Sequence, residues 1–306
     1  MNIQTGGKVS GVYGIKVVRN AGTDKEHLED FGESPNMLLD GFFERFSSGD
    51  LSPSSWYMFV GSGTTPVDAT QTQLVSQVGS YDKMSVTSND NVKVGSDYIV
   101  SSTGVAEWAI GAIVGNISEV GARLGTLIGS TTDSRSLITD AQGNPSTITL
   151  TAEDKLIVSY TLKYIIPTSQ QVSTFNFGGA QTTCTLERVG ALNSGKNNIG
   201  SAFALYWSTL LTSEVQELIN DPESEQKSGG SSSADTTASN PTGGVRRLSY
   251  LLSTSVANYQ NGLKYAFLSS GVNYNFPSIG IHFDPPIPKD ATKTLTLNFD
   301  FTLTRA

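Results

Sequence analysis

A chain of 306 residues with 37% hydrophobic content is long enough for one large or two ordinary domains, each with a buried core. Its formal charge of -8 argues against nucleic acid as the main partner, since phosphate binding needs a concentrated positive field. Only 16% of residues are charged, against roughly 25% in typical soluble proteins, and 31 glycines accompany many Ser and Thr, a composition that favours an all-β protein.

From the N-terminus, "MNIQTGGKVSGVYG" has no apolar core of the kind a secretory signal needs, so export by that route is not expected. "TDKEHLEDFGE" gathers Asp24, Glu26, Glu29, Asp30 and Glu33, which could hold a calcium ion or supply a carboxylate pair. The calcium-loop alternation of oxygen ligands ending in glutamate is missing, and a solvated acidic loop is the default. "SPNMLLDGFFERF" predicts a helix, with Ser34 as cap and Pro35 at the first helical position. "SWYMFVGSG" reads as a strand, and "GSGTTP", Gly61 to Pro66, as the turn after it; the later glycines and lysine of a phosphate loop are lacking.

The longest apolar stretch, Val105 to Ile117, carries Glu107 and falls short of the roughly 20 residues that span a bilayer, so no membrane anchor is expected. "SEVGARLG" reads as a short strand. "DAQGNP" then stacks Asp140, Gly143, Asn144 and Pro145 into a turn, and in "STITLT" Ile148 and Leu150 share one face of a departing strand. From Leu156 the even positions read Leu156, Val158, Tyr160, Leu162, Tyr164 and Ile166, a period of two that marks a half-buried strand ending at Pro167. "STFNF" and "TTCTLERV" predict further short strands; the second holds Cys184, which, alone in the chain, can form no intrachain disulfide and reads as a small buried hydrophobe.

"STLLTSEVQELIND" carries Leu210, Leu211, Val215, Leu218 and Ile219 at near-helical spacing and is halted by Pro222, which predicts a second short helix. Residues 221–244 are polar and Gly/Ser-rich, by composition a flexible excursion that a neighbouring subunit is the economical candidate to order. Ile279, Ile281 and Phe283 alternate with Gly280, His282 and Asp284, followed by the proline-stiffened "DPPIPKDA". Leu295, Leu297, Phe299, Phe301 and Leu303 then point one way, with Thr294, Thr296, Asn298, Asp300, Thr302 and Thr304 the other, the pattern of an antiparallel strand with one wet face. These two last strands are expected to pair as a hairpin. The fold expected is mainly β, an antiparallel sandwich or barrel-like body with one or two short helices and a long polar loop. It forms a single large domain over 1–306 or two β halves, 1–167 and 168–306.

Chemistry is sparse. His27 and His282 are the only histidines, and neither has a second histidine or a cysteine at ligand spacing. There is no G-x-S-x-G elbow. Trp56, Trp108 and Trp207 could stack on sugars, but in a β protein a large aromatic reads first as core. "NIS" at Asn116 to Ser118 matches a glycosylation sequon that carries no meaning without secretion. The adjacent pair Arg246 and Arg247 reads as solvated. No catalytic, cofactor-binding or metal-ligating residue is assigned, no cofactor is implied, and the expectation is that the chain is not an enzyme.

Three stretches taken together resemble structural proteins of tailed bacteriophage virions: "WYMFVGSGTTPVDATQTQLVSQVGS" (Trp56 to Ser80), "GNISEVGARL" through "SRSLITDAQGNPSTITLTAEDKLIVSYTLKYIIP" (Gly115 to Pro167), and "IGIHFDPPIPKDATKTLTLNFDFTLTRA" (Ile279 to Ala306). In such families a V-G-x-G-T-T-x-P-like stretch precedes a valine-rich segment ending in V-G. An S-R-[AS]-L-I-x-D-x-x-G-N-P turn later precedes a long strand. The resemblance covers under half the chain and finds no counterpart between Gln170 and Val272. It implies a non-enzymatic virion component assembled in the host cytoplasm, on the tail as a connector, fibre-attachment or tail-tip subunit. Such a component partners itself as a homo-oligomer and other tail or virion proteins, with no direct nucleic-acid role and no membrane. The competing expectations are a carbohydrate-binding or adhesive β-module, which needs two or three aromatics exposed together, and a capsid decoration protein.

Overall fold

A computed structural model describes residues 2–48, 55–125, 127–167, 171–177, 180–189, 203–208, 244–252, 262–270 and 278–306. Among them the chain is mainly β and carries one α-helix. The strands are β1 (Asn2–Arg19), β2 (His27–Pro35), β3 (Met37–Leu38), β4 (Trp56–Gly61), β5 (Asp82–Val94), β6 (Asp97–Glu107), β7 (Gly115–Ile117), β8 (Glu119–Leu124) and β9 (Ser134–Leu137). They continue as β10 (Ile148–Leu150), β11 (Lys155–Pro167), β12 (Gln171–Phe177), β13 (Ala180–Val189), β14 (Phe203–Ser208), β15 (Val245–Leu252), β16 (Leu263–Ser270), β17 (Ser278–Ile287) and β18 (Leu295–Arg305). The helix α1 spans Asp40–Ser48. The contacts divide the chain into two compact units, one of Met1–Gly7, Asn91–Val100 and Ile165–Leu303, the other of Lys8–Asp90, Ser101–Tyr164 and Thr304–Ala306.

In the unit that holds Lys8–Asp90, the sheet order is β1-β11-β6-β5-β4-β8-β9-β3, and β2 pairs antiparallel with β1. The strand β11 obeys its period of two: Leu156, Val158, Tyr160, Leu162 and Tyr164 are buried, while Ile157, Ser159 and Thr161 are half-buried and Lys163 is exposed. Tyr160 stacks on Tyr13 with ring centroids 4.7 Å apart, and Trp56 meets the same ring at 6.0 Å. Trp56 and Trp108 are both buried, as the core reading expects. The side chain of Trp207 lies outside the described residues. The Asp140 turn also forms as read, with Asp140 Oδ1 accepting from the backbone N–H of Gln142 and Asn144, and Gly143 at φ 82°.

The expected helix over "SPNMLLDGFFERF" begins later than its cap signal. Ser34 and Pro35 belong to β2, opposite Tyr13 and Val12, and Met37 and Leu38 pair with Arg135 and Ser134. The Ser34 hydroxyl accepts from the Thr139 N–H, so the supposed cap is used by a residue 105 positions away. Long-range pairing thus outcompetes the local signal, and the helix starts at Asp40. Phe42, Phe43 and Phe46 form its buried face. The expected acidic loop is likewise a strand for much of its length, since Glu29, Asp30 and Glu33 sit in β2 opposite Val17, Lys16 and Gly14.

In the other unit a five-stranded sheet has the order β12-β13-β17-β16-β14. The expected hairpin between the last two strands is corrected here: β17 pairs antiparallel with β13 and with β16, whereas β18 pairs antiparallel with β15. The chain that joins β17 to β18, residues 288–294, is short enough for a hairpin, but Cys184, Leu186 and the β16 strand capture the apolar residues of β17 instead. In β18, Leu295, Leu297, Phe299, Phe301 and Leu303 are buried as expected. Asp300, read as part of the wet face, is also buried, and both its oxygens accept from the Arg247 guanidinium at 2.6 Å. The expected helix over Leu210 to Ile219 and the polar tract up to residue 243 lie outside the described residues.

The register of β18 sets a direct test. Phe299→Asp removes a wholly buried ring and is expected to cost about 3 to 5 kcal/mol in lost packing, with a desolvation penalty added. Thr296→Asp, on the exposed side, is expected to cost under about 1 kcal/mol. Urea unfolding of the two variants checks this; equal losses would contradict the register.

Candidate functional site

The described chemistry-bearing residues are best followed from the buried charges outward. Glu119 opens β8 and Arg135 lies in β9, two residues from being opposite each other and therefore diagonal on one face: Glu119 faces Leu137 and Gly121 faces Arg135. Both side chains are wholly buried, and Arg135 Nε donates to Glu119 Oε2 at 2.7 Å. The remaining capacity of each is taken by one loop. Glu119 accepts from the backbone N–H of Gly63 (3.0 Å), Val75 (3.2 Å) and Ser76 (2.8 Å). Arg135 donates to the Thr65 carbonyl (2.9 Å), the Pro66 carbonyl (3.4 Å) and Gln71 Oε1 (2.9 Å).

This arrangement explains "GSGTTP" in physical terms. A Cβ on Gly61 would lie 2.6 Å from Glu119 Oε1 and 2.5 Å from the Ser76 carbonyl oxygen, and one on Gly63 would lie 2.6 Å from Val75 Cβ. Neither position tolerates a side chain, because the backbone must reach the carboxylate. The glycines serve an internal anion, Glu119, in the way that phosphate loops serve an external one.

Asp133 anchors a second centre. Its buried carboxylate accepts from Arg45 of α1, from Arg123 at 3.4 Å and from the Leu124 N–H at 2.7 Å, so the helix, β8 and the start of β9 share one charge. A third seam runs along an open depression of about 600 Å³ lined by Arg19, Asn20, His27 and Thr151 to Asp154. Asp154 accepts from Arg19 Nη1 (2.9 Å), the Thr151 N–H (2.8 Å) and hydroxyl (3.0 Å), and the Asn20 N–H (3.3 Å). Burial alone would raise its pKa, but these donors together outweigh that and hold it below the usual carboxylate range. Arg19 also donates to Glu29 Oε2 and to the Thr149 carbonyl, both at 2.7 Å. The depression is thus rimmed by groups already engaged with one another.

The sequence candidates disperse. His27 is exposed, with Nδ1 3.2 Å from the Lys25 carbonyl, and His282 is half-buried in β17 opposite Thr185 and Tyr265. Among the described residues no group of three potential ligands could hold a metal ion. In the acidic segment Glu29 meets Arg19, and Asp30 meets Lys16 at 3.0 Å. Cys184 is wholly buried, and burial pushes its thiol up to about 12, which keeps it protonated and unreactive at neutral pH. The sequence reading missed Glu119, Arg135, Asp133, Arg45 and Arg123 altogether. The available signal was a pair of strands, "SEVGARL" and "SRSL", that carry full charges among small and apolar residues, next to a loop with two closely spaced glycines.

The pair makes a double-mutant test. Glu119→Leu and Arg135→Met each strand a buried charge and are expected to cost about 3 to 5 kcal/mol. The double variant should cost less than the sum, yet stay below wild type because five backbone groups of the loop lose partners. Amide exchange at Gly63, Val75 and Ser76 should rise in the two variants that lack Glu119, and unchanged protection there would refute the role given to Glu119. Asp154 gives a pH signature. With its folded pKa depressed, its contribution is complete above the unfolded value near about 3.9 and fades as pH falls through the folded value. Asp154→Asn should therefore lose about 1.5 to 3 kcal/mol at pH 7 in urea titrations and show a shallower fall in stability toward acid.

Comparison of the chain with protein-family models, curated proteins and solved structures found no match.

Proposed function

We propose that the chain is a non-enzymatic structural subunit of a tailed-bacteriophage virion, a tail component of the connector, fibre-attachment or tail-tip kind that works through subunit-to-subunit assembly. The observation that carries this reading is where the motif residues go. Gly61, Gly63, Thr65 and Pro66 of "VGSGTTP" and Val75 and Ser76 of "QLVSQVG" meet in one network around the buried side chains of Glu119 of "SEVGARL" and Arg135 of "SRSLI". Two of the three stretches that resemble virion proteins, Trp56 to Ser80 and Gly115 to Pro167, are joined by it, which supports reading their shared motifs as architecture.

Two further observations support it. Arg19, Arg45, Arg123, Arg135, Arg247 and Arg305 each pair with a carboxylate of this chain, so these guanidinium groups are engaged internally and form no open basic patch for a phosphate backbone. Tyr57 and Tyr81, an aromatic pair with one exposed member among the described residues, meet edge to face at 88° and offer no shared flat platform for a sugar ring. In this reading the partners are further copies of the chain and other virion proteins, and the place of action is the particle.

Mass spectrometry of gradient-purified particles is the test. Recovery of the chain in several copies per particle is the expected result. Abundance in infected lysate with absence from particles would overturn the proposal.

A further inference from the structure

The open depression of about 600 Å³ beside the β1–β2 turn lies wholly in the unit that holds Lys8–Asp90, and the hydrogen bonds of Asp154 fix its wall. Two backbone bonds add to this. The Ala21 N–H donates to the Glu153 carbonyl at 2.8 Å and the Gly111 N–H to the Asp154 carbonyl at 3.0 Å, so three loops meet around the depression. Gly111 allows the closest of these approaches, since a Cβ there would lie 2.6 Å from the Ala152 carbonyl oxygen. The shape is set before anything enters it.

Arg19 and Asp154 are engaged with each other, but three other side chains that line the depression keep unused capacity. The Glu153 carboxylate is exposed, and among the described residues it makes no hydrogen bond or ion pair. The Asn20 side-chain amide is likewise unbonded, on a backbone at φ 48° that Asn adopts more readily than most residues. In His27, Nδ1 lies 3.2 Å from the Lys25 carbonyl, an oxygen that can only accept. Nδ1 therefore carries the proton, and Nε2 of the neutral ring is an acceptor. What remains unused is mostly acceptor: a carboxylate, an imidazole nitrogen and an amide oxygen. Charge points the same way, with Glu26, Glu29, Glu153 and Asp154 against Arg19 and Lys25 in these segments. Beside them Ile110 is 51% exposed, with its Cδ1 3.8 Å from where a Cβ on Gly22 would be.

We propose that this depression receives an arginine side chain of a protein partner, its guanidinium on Glu153, Asn20 and His27 and its aliphatic stem against Ile110. The inference deepens the assembly reading and rests on it, the partner being a neighbouring virion subunit. A guanidinium presents N–H donors and no acceptor, the complement of the unused groups, and its stem is apolar. A depression open to solvent cannot surround a small free ligand, whereas a side chain is delivered from the surface that carries it.

Amide NMR of the full chain reads the site, with titration by acetyl-Ala-Arg-Ala-amide and by the same peptide carrying citrulline, a neutral isostere of arginine. The arginine peptide should shift the amides of Gly22, Gly111 and Glu153, and the citrulline peptide should bind about tenfold more weakly. Raising salt should weaken the response to arginine. Glu153→Gln, whose fold is checked by unchanged signals elsewhere in the spectrum, should lose the preference for arginine. No shift at those amides, equal binding of the two peptides, or an undiminished preference in Glu153→Gln would overturn the site. Any of these with the wild-type chain recovered from purified particles would overturn the site and leave the virion role standing. The expected shifts with the chain absent from particles would keep the arginine site and overturn the virion role.

Discussion

The ion pair between Glu119 and Arg135 is the constraint on which the described structure around the motif depends. A buried charge pair does not by itself stabilise a fold, because the desolvation penalty can exceed the attraction gained. Its value here is that it is a source of partners. The loop after β4 turns the N–H groups of Gly63, Val75 and Ser76 and the carbonyls of Thr65 and Pro66 toward the buried pair. A carboxylate and a guanidinium, one supplying acceptors and the other a fork of donors, satisfy all five and each other. Leucine and methionine of similar size would pack the space and leave those groups without partners.

From that constraint the surrounding sequence follows. Gly61 and Gly63 have no side chain because Glu119, Val75 and the Ser76 carbonyl occupy the space a Cβ would need. The Asp133 centre uses the same logic one turn away, tying α1 through Arg45 to the backbone of Leu124. At the chain's far end Arg305 bonds the Leu38 carbonyl and Asp40 and lies over the Phe43 ring at 4.7 Å, so the start of α1 is held from a second side. Charges that look free in the one-dimensional string are fasteners between distant segments.

Legibility in the sequence tracked the range of the interaction. The strands β11 and β18 were readable because burial alternates residue by residue, and Leu156 to Tyr164 and Leu295 to Leu303 declare it locally. The Asp140 turn was readable for the same reason, its hydrogen bonds spanning four residues. What failed was decided at long range. Ser34 looked like a helix cap until Thr139 claimed it, Asp300 looked solvated until Arg247 covered it, and β17 looked like the hairpin partner of β18 until β13 and β16 took both its edges. The Glu119–Arg135 centre was invisible for the strongest version of this reason: each residue is unremarkable in its own strand, and only the fold sets them 2.7 Å apart.

If the motif marks architecture, the chain belongs at a defined place in a particle, and locating it there is the most direct test. Antibody to the chain, bound to intact purified virions and imaged by electron microscopy, should decorate tails at one recurring level. Uniform absence of label from particles, with label only on host-cell material, would contradict the account.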